Sequence, residues 1–518
     1  MACVILKVGP GILFLIAISS AESVWAAPRA SASDCAQIVR SRIDQGFKRP
    51  RIDCVTPLPS GETKSPNGQS LPQVGSAATT AYRSGEVRSA PSSANTVAPR
   101  ASGAASAGGS AIKNTDGLMV SGPVPLFVGQ ALGMEKMPDQ QSPILPSPVG
   151  NAYRLFVTGV LPSQPGGIVS VFATDNLTNA SSYSTQGIIL SPPQQKHGTG
   201  SCNPSSGDDC ADYIGMEAVF PGSRPIGFYI ADQGVFATDN KCSVHGAFWG
   251  QLGVATASAN YESWTRLGPT LRATPVPTSC PTNGGPLGFN QPTIIKIGND
   301  YYAYFWLPKT TGISVARATA GSNALPQSWS TLNGGRWTTV PSSAGVQTMG
   351  SADVVVQAPS YVTMPWVSYN NYLQTYLMTM ITHDGFYYSK LEKNKQQGPP
   401  QPSDIDAQKW TSPQKFAAVP GGQNWNKCST TWENMSFVTP GKFDNHTTGK
   451  TGYMVLSVVP GWDCKKMGPR SFDLASYSFG STTPPPSPNL GGSPAPSPPK
   501  PFPIPRIHCP PGRRGCLQ

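Results

Sequence analysis

The chain has 518 residues, 38% of them hydrophobic, with 54 glycines, 54 prolines and a formal net charge of +11. No apolar run reaches the ~18 to 20 residues that a bilayer-spanning helix needs, so the sequence does not read as a helical membrane protein. The absence of any basic–aromatic motif, in a chain that opens on a secretion signal, speaks against nucleic acid as a partner.

The first 26 residues read as a signal peptide. Lys7 precedes an apolar stretch from Val8 to Ile18, and SSAESVWAA follows, with Val24 and Ala26 in the small-residue positions of a cleavage site. Pro28 disfavours cutting after Ala27, which places the cut after Ala26. The expectation is a secreted protein, extracellular or in a cell wall. Residues 27–110 are a low-complexity basic arm, rich in Ser, Ala, Pro and Gly, with ten Lys or Arg against five Asp or Glu. Such a segment cannot bury enough apolar surface to offset the entropy of ordering it.

Cysteine usage fits an oxidising compartment. Removing Cys3 with the signal leaves an even set, and no C-x-x-C occurs. Adjacent pairing is the simplest arrangement: Cys35–Cys54, Cys202–Cys210, Cys242–Cys280, Cys428–Cys464 and Cys509–Cys516. Spacing leaves other connectivities open. Sequons stand at Asn176, Asn179, Asn434 and Asn445.

Residues 111–480 hold nearly all the aromatic residues, and they repeat. A short apolar run comes first, at Ser142, Gly215, Gln291, Met364 and Asn434. An aromatic run follows, as in NAYRLFVTG from Asn151, RPIGFYIAD from Arg224 and NDYYAYFWL from Asn299, with counterparts from Asn371 and Lys450. A third run follows a turn, at Gly166, Gly250, Thr311, His383 and Gly468. Apolar and small residues alternate within the runs, and Gly, Pro, Asn and Asp separate them, which predicts strands and turns. Five copies of a unit that cannot bury its own faces predict an all-β fold, a five-bladed β-propeller. Two tandem β-sandwiches would not share one order of segments in all five units. Residues 481–518 form a Pro-rich tail with four basic residues and no acid, expected to be extended. The core nets only +2, from 23 basic and 21 acidic residues, so the basicity belongs to the arms. The arms suit contact with an acidic wall polymer.

The strings GQLGVATASANYESWTRLGPTL, IIKIGNDYYAYFWL and VSYNNYLQTYLMTM, the last followed by GFYYSKL and WTSPQKF, resemble blades of the five-bladed propeller glycosidases, the arabinanase, invertase and levansucrase group. The resemblance covers roughly residues 130–480 and rests on framework positions. It implies carboxylates at the inner ends of first strands, one protonating the leaving oxygen and another acting as base or nucleophile. The acids near such starts are Asp139, a few residues before its strand, Glu217 and Glu433, which are expected to converge on one mouth. The third repeat departs from the pattern: Asn290 and Gln291 stand where the group shows a Glu, so they are expected to contact substrate rather than catalyse. Trp432 suits stacking on a sugar ring, although tryptophans in such a fold more often pack between blades.

No other chemistry stands out. The five histidines show no ligand spacing, so neither a metal nor another cofactor is expected. TTGKTG around Lys450 resembles the end of a phosphate loop, but Asp444 occupies the place of its first Gly. Three readings remain: a glycoside hydrolase acting on an extracellular polysaccharide, with Glu217 or Glu433 as acid and Asp139 as base; a glycan-binding propeller without catalysis; and a structural wall protein.

Overall fold

The computed structural model describes residues 114–490, apart from short internal stretches, together with Val4–Lys7 and Leu13–Ile16. Residues 1–99 and 100–518 are separate compact units. In the first, Val4–Lys7 pairs antiparallel with Leu13–Ile16. The rest of the signal and basic arm, all the cysteines with their expected pairings, and most of the Pro-rich tail lie outside the described residues.

The second unit is nearly all strand, and its sheets have a propeller-like arrangement. Sheet one holds Ile144–Pro146, Tyr153–Leu161, Gln164–Thr174 and Ser184–Leu190. Sheet two is built on Tyr213–Phe220, Ile226–Gln233, Phe248–Ala257 and Trp264–Ala273. Sheet three has Asn290–Ile297, Asp300–Trp306, Gly312–Ala320, Pro326–Asn333 and Arg336–Thr339. Sheet four has Trp366–Asn370, Thr375–Ile381, Gly385–Lys390 and Gln414–Ala418. Sheet five has Ser429–Val438, Thr451–Trp462 and Ser471–Ser478. All three runs of each sequence repeat are thus the first three strands of a sheet. Sheet five takes its outer strands, Met119–Val120 and Val124–Val128, from the start of the unit, both antiparallel to Ser471–Ser478. That pairing ties the two ends of the unit together.

Period-two geometry explains why the second strands read as unbroken apolar runs. A strand covered on both faces needs apolar residues at every position. In Asp300–Trp306, Tyr301, Ala303 and Phe305 pack toward sheet two, while Tyr302, Tyr304 and Trp306 pack toward sheet four. Five apolar clusters result. Four lie between consecutive sheets. The fifth joins sheet five to sheet one through Val438, Val455 and Phe472 against Ile144, Leu155 and Phe172. Truncating one of these aromatic residues to alanine should cost about 3 to 5 kcal/mol, from lost transfer energy and the cavity left behind.

Helix is scarce among the described residues. Pro402–Ala407 makes under two turns, with the Gln401 N–H donating to Asp404 Oδ2 at 2.9 Å and Gln408 ending it at φ 48°. No described helix is long and apolar enough to cross a membrane. Burial bears on three of the residues singled out in the sequence. Asn434 and Asn445 are buried, so these sequons are closed to a glycan in the folded chain. Trp432 is 7% exposed and packs between sheets four and five beside Phe386, so its ring is a packing element and not an open stacking surface.

Candidate functional site

Three first strands carry a β-bulge near their starts. In sheet three, Asn290 pairs with Trp306 and Thr293 with Tyr304, leaving one residue extra. In sheet five, Glu433 pairs with Ser457 and Ser436 with Val455, the same step. In sheet two, Gly215 pairs with Ile230 and Ala218 with Phe228. Bulges of this kind re-aim side chains and recur beside functional sites. Gln291 and Asn434, each following the first residue of its bulge, take left-handed φ values of 46° and 55°. Register therefore makes Gly215, Asn290 and Glu433 equivalent, with Glu217 two residues further along its strand. Gly215 leaves room for a neighbour: a Cβ there would stand 2.2 Å from the Gln140 Cγ.

The structure brings Asp139 and Glu433 together on one arginine. Arg470 Nη1 bonds Asp139 Oδ1 in a short ion pair and Glu433 Oε2 at 3.2 Å. Two charge-assisted bonds from one nitrogen hold the two carboxyl oxygens within about 6 Å of each other. The Glu433 and Arg470 side chains are 5% and 6% exposed and that of Asp139 17%, so Asp139 is the most open of the three. Burial pushes the Glu433 carboxyl up to about 7; Arg470 opposes the rise and the Asp139 charge adds to it. Asp139 is fixed through its backbone, its N–H donating to Thr158 O at 3.0 Å and its carbonyl accepting from the Tyr213 hydroxyl at 3.1 Å.

Glu217 belongs to the same region but a different environment. It is fully buried, and neither carboxyl oxygen has a hydrogen-bond partner among the described residues. Burial, and then the charge of Asp232, hold its carboxyl well above the ordinary range. Tyr213 links the two acid groups: burial raises its hydroxyl well above the usual value, and the charges of Asp139 and Asp232 add to that. Asn290 is fully buried and donates its amide to Leu287 O and Gly288 O, each at 3.3 Å, while its Oδ1 has no partner. Gln291 is half-buried beside it. Together Glu433 and Asp139 can hold one protonated carboxyl beside an ion-paired one. No group of three His, Cys, Asp or Glu suited to a metal ion occurs among the described residues.

No family model matches the chain. No curated protein matches it either. Similar solved structures include the catalytic domain of a GH62 α-L-arabinofuranosidase from Coprinopsis cinerea, at 10% identity, covering 70% of this chain and 97% of that one, with a TM-score of 0.36. A family 117 glycoside hydrolase from the marine bacterium Zobellia galactanivorans is 9% identical, with coverages of 70% and 90% and a TM-score of 0.42. An α-L-arabinanase mutant of Cellvibrio cellulosa is 13% identical, with coverages of 65% and 92% and a TM-score of 0.32.

Several members of the cluster were missed in the sequence. Arg470 sits just before a third strand and Asp232 near the end of a second strand, positions where charged residues usually face solvent. Gln140 and Gln251 are buried with side-chain oxygens lacking partners. The one available signal was Arg470 itself, a cation directly before the strand SFDLASYS.

Proposed function

We propose that the chain is a secreted carbohydrate-active protein whose sheets close into a five-bladed propeller, spanning residues 111–480, and that it hydrolyses glycosidic bonds of an extracellular polysaccharide. The observation that carries this reading is the pair of carboxyls, from the first strand of sheet five and the segment before sheet one, meeting at Arg470. With its carboxyl raised to about 7, Glu433 keeps its proton near neutral pH and serves as general acid. Asp139, the more open partner, serves as base or nucleophile. Arg470 orients both and offsets the repulsion between them. Glu217, sealed from solvent, has a positioning role through its interaction with Asp232 and does not touch substrate. The signal sequence supports export, and the basic arms suit attachment to an acidic wall polymer.

A glycan-binding module is the second reading. It is favoured by Asn290, an amide at the register position of Glu433. The test is reducing-sugar release from arabinan, arabinoxylan and xylan by the intact protein and by Glu433→Gln and Asp139→Asn. Hydrolysis that falls by two or more orders of magnitude in both variants supports the enzyme. Activity that survives both substitutions refutes the catalytic assignment, and binding without product supports the module.

A further inference from the structure

A cleft of about 160 Å³ opens between sheets two and three, lined by the turn after Phe220, by Lys296 and by the turn at Ser322–Ala324. Phe220 and Ile297 end the first strands whose beginnings carry Gly215 and Asn290, so the cleft lies at the opposite strand ends from those residues. Its two charged lining residues are both cations, Arg224 and Lys296. Neither pairs with a carboxylate among the described residues. Both are nevertheless anchored: Arg224 Nη2 donates to Thr256 Oγ1 at 3.2 Å, and Lys296 Nζ stands 5.3 Å from the Tyr301 ring centroid. The Phe220 ring lies 5.3 Å from that of Tyr301 and offers an apolar wall, and Ser223 and Asn323 add polar side chains.

We propose that this cleft holds a carboxylate-bearing sugar residue, a uronate of an acidic polysaccharide, on the face away from the acid cluster. Two anchored cations that no acid among the described residues neutralises provide the charge for one carboxylate. An aromatic wall beside hydroxyl and amide groups is the surface a sugar ring uses, apolar on its face and polar at its edge. The volume is about half the ~300 Å³ of the smallest drug-sized pockets, which limits the occupant to roughly one ring. The choice of a sugar rests on the carbohydrate reading above; the anion site does not.

The test is titration of the intact protein and of an Arg224→Gln/Lys296→Gln double variant with an oligogalacturonate, a neutral xylo-oligosaccharide and sodium sulfate, at fixed ionic strength. The expected result is preferential binding of the oligogalacturonate, weakened tenfold or more in the double variant while its melting temperature is unchanged. The variant also separates the cleft from the basic arms, which it leaves intact. Equal binding of uronate by the two proteins overturns the proposal. So does sulfate that binds as tightly as the uronate, which would mark a bare anion site. Glu433→Gln should leave uronate binding unaltered, so failure of hydrolysis and failure of this cleft are read separately.

Discussion

Replacing Glu433 with glutamine isolates one buried carboxyl and gives the sharpest check on the site. Its carboxyl rises from 4.5 to about 7 on folding, chiefly through burial. The sign follows from proton uptake. Between these values the folded chain holds a proton that the unfolded chain releases, so this group's contribution is fully present below about 4.5 and is lost as pH rises toward 7. Integrated from pH 5 to pH 8, the loss is about 2.5 kcal/mol. The glutamine variant has no such proton to lose. Denaturant unfolding of both proteins at several pH values across that range should show the variant gaining on the parent by about that amount as pH rises. A stability gap that stays constant within about 0.5 kcal/mol from pH 5 to 8 would refute a raised Glu433, and with it the general-acid role.

Arg470→Met leaves the buried Glu433 and the partly exposed Asp139 facing each other without their cation, and should lower stability by about 3 to 5 kcal/mol at neutral pH, read as a fall in denaturation midpoint; an unchanged midpoint would mean the ion pair is unimportant. Glu217→Gln removes a buried carboxyl without a hydrogen-bond partner, so the melting temperature should rise at pH 8, and the gain should shrink as pH falls, because a raised carboxyl costs stability only where the unfolded chain is ionised. A variant that is less stable at pH 8 would contradict the environment described for Glu217. Gly215→Ala drives a Cβ into Gln140 and should cost about 1 to 3 kcal/mol, with a loss of any hydrolytic activity that exceeds the loss of folded protein. Activity that tracks only the folded fraction would separate Gln140 from the site.

The strands were legible in the sequence because a strand packed on both faces must be apolar at nearly every position. NDYYAYFWL from Asn299 became Asp300–Trp306, with alternate residues serving two different clusters. The order of runs within each repeat was legible for the same reason, since each unit lacks a core until its neighbour covers it. The carboxyls at Asp139 and Glu433 were also legible as acids near the starts of first strands. Which residues stand opposite one another was not, because a bulge shifts register by one residue without altering composition. Strand pairing sets Asn290 level with Glu433 and puts Glu217 two residues beyond that position. Trp432 was ambiguous in the sequence because an aromatic ring suits a sugar and a core equally; burial decided for the core. Arg470 and Asp232 gain their meaning only where sheets from distant parts of the chain meet, and there desolvation makes the charge of one residue matter to the proton on another.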